Sequence, residues 1–82
     1  MALSPAISKY LQERARDVGA PAPTSESDLY KSGILDSFEL MALISNIENE
    51  YSVKIPDEEV DPKEFETLNS IERVIERLTG KL

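Results

Sequence analysis

The chain has 82 residues, 40% of them apolar and 30% charged, with a net charge of −7 and neither cysteine nor histidine. This balance predicts one small globular domain over residues 1–82, and no apolar run approaches the roughly 20 residues of a membrane span. Without thiol or imidazole there is no disulfide, thiolate metal site or Ser-His-Asp triad, so any acyl-transfer chemistry needs a nucleophile brought by a cofactor.

Met1-Ala2-Leu3-Ser4-Pro5 has neither a basic start nor a long apolar stretch. No signal peptide is expected, and the cytoplasm is the expected location. Ser4 as N-cap and Pro5 at the first helical position open a helix over about 4–18. Ile7, Tyr10, Leu11, Arg14/Ala15 and Val18 follow at three- and four-residue steps along one apolar face, Gly19 ends the helix, and Pro21 and Pro23 prevent its continuation. Residues 19–36 form a long loop rich in Gly, Pro, Ser and Thr, pinned by burial of Leu29, Tyr30, Ile34 and Leu35. Ser25–Asp28 makes a short turn within it. A second helix runs from about Ser37 to Glu50, with Phe38, Met41, Ile44, Ile47 and Tyr51 as one stripe and Leu40 and Leu43 widening it. Glu39 and Glu48 fall off that stripe, toward solvent.

Ser52–Ile55 alternates but has no partner strand, so it is an extended connector that buries Val53 and Ile55. Asp57–Val60 makes one helical turn with acids at its start, and Pro62–Phe65 makes another. The last helix begins near Thr67–Asn69, where Asn69 and Glu72 resemble a capping box, and Gly80 stops it. Leu68, Ile71, Val74, Ile75 and Leu78 form its stripe. The predicted core is Ile7, Leu11, Phe38, Met41, Ile44, Ile47, Val53, Ile55, Phe65, Leu68, Ile71, Ile75 and Leu78. Together these elements predict an all-α fold, a small antiparallel bundle of three long helices and one or two short ones.

Charge is unevenly spread. Residues 1–20 carry three basic and two acidic side chains, and residues 21–82 carry six basic and fourteen acidic ones. Such an acidic field repels nucleic acid and steers basic protein surfaces.

Gly33-Ile34-Leu35-Asp36-Ser37-Phe38 lies where the loop meets the second helix. Gly33 permits a tight turn, Ile34 and Leu35 anchor the approach, and Phe38 supplies an apolar contact beyond the serine. Ser37 thereby sits beside Asp36 at the positive end of a helix dipole, a place suited to a phosphate-linked group. A serine before an apolar helix is also an ordinary N-cap, and Ser37 would serve the fold in that way alone.

The motif resembles that of acyl carrier proteins and their peptidyl-carrier relatives, in which Asp-Ser is followed by an apolar residue, usually Leu. Ile55-Pro56-Asp57-Glu58-Glu59 looks like the start of that family's third helix, and Thr67-Leu68-Asn69-Ser70-Ile71 like the start of its last. The resemblance implies that Ser37 receives 4′-phosphopantetheine from coenzyme A through a phosphopantetheinyl transferase, with Asp36 presenting the loop. The thiol of that arm would hold aminoacyl or acyl groups as thioesters. It further implies a free-standing monomeric carrier, not an enzyme. Its partners would be adenylating ligases or acyl-transferring enzymes whose basic surfaces dock on Asp36, Phe38, Glu39, Glu48, Asp57, Glu58 and Glu59.

Two departures narrow the family. Ala42, Ser45 and Asn49 stand where fatty-acid carriers usually have acids. Phe38 after the serine and Phe65 before the last helix resemble the D-alanyl and other aminoacyl carriers. The competing reading is an acidic helical interaction module without an arm. Calcium binding by Asp57, Glu58, Glu59 and Asp61 lacks the spaced ligand loop and turn glycine of an EF-hand.

Overall fold

The computed structural model describes residues 3–80, and the described residues form three α-helices and two 3-10 turns. Helix α1 spans Pro5–Asp17, α2 Ser37–Tyr51 and α3 Leu68–Thr79, with 3-10 turns at Asp57–Glu59 and Pro62–Phe65. All-helical architecture follows from the patterning, and each element lies within a residue or two of its expected place.

The helix ends show why. Ser4 Oγ accepts the Ile7 N–H at 3.3 Å and Pro5 occupies the first helical position. At the far end of α1, Gly19 takes φ +74, its N–H donates to the Arg16 carbonyl, and the Ala20 N–H donates to the Ala15 carbonyl at 2.8 Å. That pair of bonds is a Schellman motif, and it turns the chain sharply into the loop. Helix α3 is capped differently from the sequence expectation. Thr67, not Asn69, is the N-cap: its Oγ1 accepts the Ser70 N–H at 3.1 Å, and Ser70 Oγ accepts the Thr67 N–H at 3.0 Å. Asn69 is already inside the helix, with its own N–H spent on the Ser25 carbonyl. The serine at the third helical position does the work usually given to Glu or Gln.

Helix α1 packs on α2, and the Pro62–Phe65 turn packs on both α2 and α3. Phe65, 1% exposed, is the wedge between them. Loop and connector complete the core: Leu29, Ile34, Leu35 and Ile55 are buried alongside Ile7, Leu11, Leu40, Leu43, Ile44, Ile47, Ile71, Val74 and Ile75. Tyr30, Val53, Leu68 and Leu78 pack against this cluster half-buried. Each fully buried aliphatic side chain contributes roughly 1.5–3 kcal/mol, so three loop residues weigh as much as a helix face. The loop is tied down by its backbone as well, since the Leu29 N–H donates to the Glu66 carbonyl at 2.8 Å.

Phe38 and Met41 are not in the core. They are 80% and 48% exposed. The reason is geometric: Phe38 and Ile47 are nine residues apart, about two and a half turns, and so face opposite ways. The buried face of α2 is Leu40, Leu43, Ile44 and Ile47. Ile71→Ala is therefore expected to cost about 2–5 kcal/mol, and Phe38→Ala to stay within about 0.5 kcal/mol of wild type, in urea unfolding followed by circular dichroism. Equal losses in the two variants would mean that the α2 face is misassigned.

Candidate functional site

The site is built where the loop enters α2. Asp28 Oδ1 accepts the N–H groups of Tyr30 and Lys31, each at 3.0 Å, and nucleates a turn. Gly33 closes that turn at φ +84, with its N–H donating to the Tyr30 carbonyl at 3.1 Å. A Cβ at Gly33 would meet nothing within 4 Å, so glycine is required there by backbone angle rather than by space. Ile34 and Leu35 then drop into the core, and the Leu35 N–H returns to the Leu29 carbonyl at 3.0 Å.

The next residue, Asp36, has extended backbone, and its Oδ1 accepts the Glu39 N–H at 2.7 Å. Asp36 is thus the N-cap, and Ser37 is the first residue of the helix. The ordinary alternative, Ser37 as the N-cap of α2, does not hold: the carboxylate one residue earlier takes that role and leaves the serine hydroxyl unengaged. Ser37 is exposed, and among the described residues no hydrogen bond engages its hydroxyl. Nor does any described group take the N–H of Ser37 or Phe38, so two donors at the positive end of α2 face outward. A phosphate ester on Ser37 Oγ would meet those donors directly.

Helix α1 braces this corner. Tyr10 donates its hydroxyl to Glu39 Oε2, and Arg14 Nε lies 3.5 Å from the same oxygen. The Arg14 guanidinium also donates to two consecutive loop carbonyls, from Nε to Ile34 at 3.2 Å and from Nη2 to Gly33 at 3.3 Å. Burial, then the hydrogen bond to Glu39, pushes the Tyr10 phenol well above its ordinary value, so it remains a donor at any physiological pH.

Beside Ser37 runs a groove of about 480 Å³ lined by Tyr30, Ser37, Leu40, Met41, Asp57, Val60 and Pro62. Its wall is mostly apolar, with Asp57 at one edge. Tyr30 is held across it by donating its hydroxyl to the Pro62 carbonyl at 2.7 Å. An open hydroxyl, outward N–H donors and an adjoining groove form a set that fits a flexible, phosphate-linked arm.

The residues singled out from sequence divide into three groups. Asp36, Ser37, Phe38 and Asp57 gather at this corner, and Glu58 and Glu59 are exposed on the same 3-10 turn as Asp57. Glu39 adjoins the corner but is half-buried and turned toward α1. Glu48 sits in the last turn of α2, half-buried, and accepts the Ile55 N–H at 2.8 Å. Neither of these two acids points freely to solvent as expected. Sequence reasoning missed Arg14, Tyr10, Met41, Val60 and Pro62. Only Met41 carried a readable signal, since its angular distance from Ile47 on the helix places it at the rim of the apolar face.

Comparison with known proteins points to the same kind of chemistry. Residues 9–78 match the family described as "phosphopantetheine attachment site". The D-alanyl carrier protein of Lactococcus lactis subsp. cremoris (strain MG1363) is 32% identical over 56 residues, covering 68% of this chain and 71% of that protein. That of Streptococcus equi subsp. zooepidemicus (strain MGCS10565) is 36% identical over 53 residues, covering 65% and 67%.

The cap geometry predicts opposite outcomes for neighbouring residues. Asp36→Ala is expected to lose about 1 kcal/mol, and Ser37→Ala to change stability by less than about 0.5 kcal/mol. Denaturant midpoints of the two variants check this, and a larger loss in Ser37→Ala would return the cap to the serine.

Proposed function

The chain belongs to the phosphopantetheine-attachment family, and from that premise we propose that Ser37 Oγ is the attachment atom and that the cargo is a small aminoacyl group such as D-alanine. The protein is a carrier bearing a 4′-phosphopantetheine arm, a substrate of partner enzymes rather than an enzyme. The observation that carries the assignment of Ser37 is its exposed, unengaged hydroxyl at the first position of α2, with Asp36 taking over the cap.

In the proposed attachment, Ser37 Oγ attacks a phosphorus atom of the coenzyme A diphosphate. The P–O bond to the nucleotide breaks, and the hydroxyl proton passes to a base of the transferase. This chain supplies position and field. Asp36 holds the first turn of α2, and the Ser37 and Phe38 N–H groups offset charge on the new phosphodiester. The Asp36 carboxyl oxygen that does not cap is available to a divalent cation or a basic group of the transferase. Once attached, the arm supplies the thiol that this chain lacks, on which a carboxylic group rides as a thioester. The aminoacyl reading is supported by the relatives' names.

Partners of such carriers are phosphopantetheinyl transferases and ligases. In our reading they approach the face made by Phe38 and Met41, rimmed by Asp36, Asp57, Glu58 and Glu59. Glu39 and Glu48 belong less to that face, since each is half-buried and has one carboxylate oxygen engaged within the fold. No described helix is long and apolar enough to cross a membrane. The reading places a monomeric carrier, a single domain, in the cytoplasm, where coenzyme A and activated amino acids are at hand.

Incubation with coenzyme A, magnesium and a broad-specificity phosphopantetheinyl transferase is expected to add one arm to the wild type and none to Ser37→Ala, read by intact mass. An unmodified wild type, or a modified Ser37→Ala, refutes the assignment. With the holo-protein and an adenylating ligase that charges it, Phe38→Ala should slow loading about tenfold, and paired Asp57→Lys and Glu58→Lys reversals should slow it several-fold with a weaker salt dependence. Loading indifferent to salt and to the reversals would leave recognition to the apolar residues alone.

A further inference from the structure

We propose that Arg14 is a positioning residue for arm attachment: from α1 its guanidinium fixes the turn that delivers Ser37, without touching the serine itself. The inference rests on Ser37 being the attachment residue.

One planar group holds three points. Its Nε and Nη2 donate to the carbonyls of Ile34 and Gly33, at 3.2 and 3.3 Å, and Nε faces Glu39 Oε2 at 3.5 Å. Ile34 lies three residues before Ser37, and Glu39 two residues after it. The guanidinium therefore brackets the serine on both sides. Glu39 is also the residue whose N–H the Asp36 carboxylate caps, so its backbone secures the first turn while its side chain joins that turn to α1. Tyr10, one helical turn earlier on α1, holds the same carboxylate oxygen and keeps it aimed at Arg14.

The clamp grips the weakest link of the approach. Gly33 stands at φ +84, in a conformation that only glycine adopts freely, and glycine is also the residue with most freedom to leave it. Ile34 and Leu35 are anchored by burial, but the carbonyls of Gly33 and Ile34 have no helix or strand partner. A fork of fixed geometry suits two adjacent carbonyls, whereas an ammonium offers rotatable donors on a flexible stem with no fixed spacing. Removing the fork lowers the fraction of molecules that present Ser37 in the competent geometry. A transferase that binds only this fraction sees a raised KM for the carrier, because apparent affinity scales with the competent fraction, while turnover of the bound complex is unchanged.

The test uses the full apo-chain with coenzyme A, magnesium and a phosphopantetheinyl transferase, read by intact mass over a range of carrier concentrations. Arg14→Met should raise KM for the carrier about fivefold with kcat within about twofold, and Arg14→Lys should lie between Met and wild type. Leu78→Ala, on α3 and away from the turn, serves as the control for stability alone and should keep the wild-type KM. Hydrogen exchange supplies a readout independent of loading. The Leu35 amide, which closes the loop on the Leu29 carbonyl, should exchange faster in Arg14→Met while the Ile75 amide in α3 does not. A wild-type KM with wild-type Leu35 exchange, or a KM rise matched in Leu78→Ala at equal loss of stability, overturns the inference. Arm attachment to Ser37→Ala in the same assay overturns the Ser37 assignment and this inference with it, and the mass of that variant tells the two failures apart.

Discussion

Three helices of twelve to fifteen residues do not enclose a core by themselves, and the burial of loop side chains is what makes this fold possible. Leu29, Ile34 and Leu35 leave the long loop to join the common core, and Phe65 leaves a 3-10 turn that packs on both α2 and α3. In a chain this short the surface is large relative to the interior, so connecting segments must contribute apolar area that a larger protein draws from its helices. Burying loop residues carries an obligation, because a loop has no ladder of its own for its backbone polar groups. Here the debt is met piecemeal: the Leu29 N–H by Glu66, the Leu35 N–H by Leu29, the Tyr30 and Lys31 N–H groups by Asp28, and the Gly33 and Ile34 carbonyls by Arg14.

The functional corner is a product of that anchoring. A loop fixed by its own core residues delivers Asp36 in extended geometry, and an extended Asp is a strong N-cap. With the cap made by the carboxylate, the serine that follows has no structural duty and keeps its hydroxyl exposed. Capping and presentation, which a single serine would have to share, are divided between adjacent residues. The helix that follows buries Leu40, Leu43, Ile44 and Ile47, and that choice of face places Phe38 and Met41 outside, next to the serine. An exposed Phe adds little to stability, and in our proposal its place beside Ser37 makes it contact surface for partner enzymes.

Charge plays two parts in this molecule. Glu39 and Glu48 serve the fold, one by joining α2 to α1 through Tyr10 and Arg14, the other by receiving the Ile55 N–H where the chain leaves α2. Asp57, Glu58 and Glu59 remain exposed on their short turn, and of the three Asp57 lines the groove at Ser37. An acidic net charge therefore says little about which acids meet a partner. Exposed acids steer encounter over a Debye length, about 8–10 Å, and half-buried ones orient backbone.

The sequence by itself determined the elements and the identity of the corner. Ser4-Pro5, Gly19 and Gly80 are local stop and start signals whose physics needs no distant partner, and the apolar stripe of α3 carried through to the structure while that of α2 did so only in part. The Gly-Ile-Leu-Asp-Ser-Phe run is equally local, a turn glycine and two apolar anchors before Asp-Ser, although only the structure assigned the cap to Asp36 and left the Ser37 hydroxyl unengaged. Tertiary structure decided which side of α2 is buried, because its apolar stripe is wide enough for two solutions and only packing against α1 and Phe65 selects one. The cap of α3 is local as well, Thr67 and Ser70 bonding each other across three residues, while the Asn69 N–H goes to the Ser25 carbonyl of the loop. Most of all, tertiary structure decided the partners of Arg14, Tyr10, Glu39 and Glu48. Their bonds join residues as far as 29 positions apart, and no periodicity records a contact that exists only once α1 lies against α2.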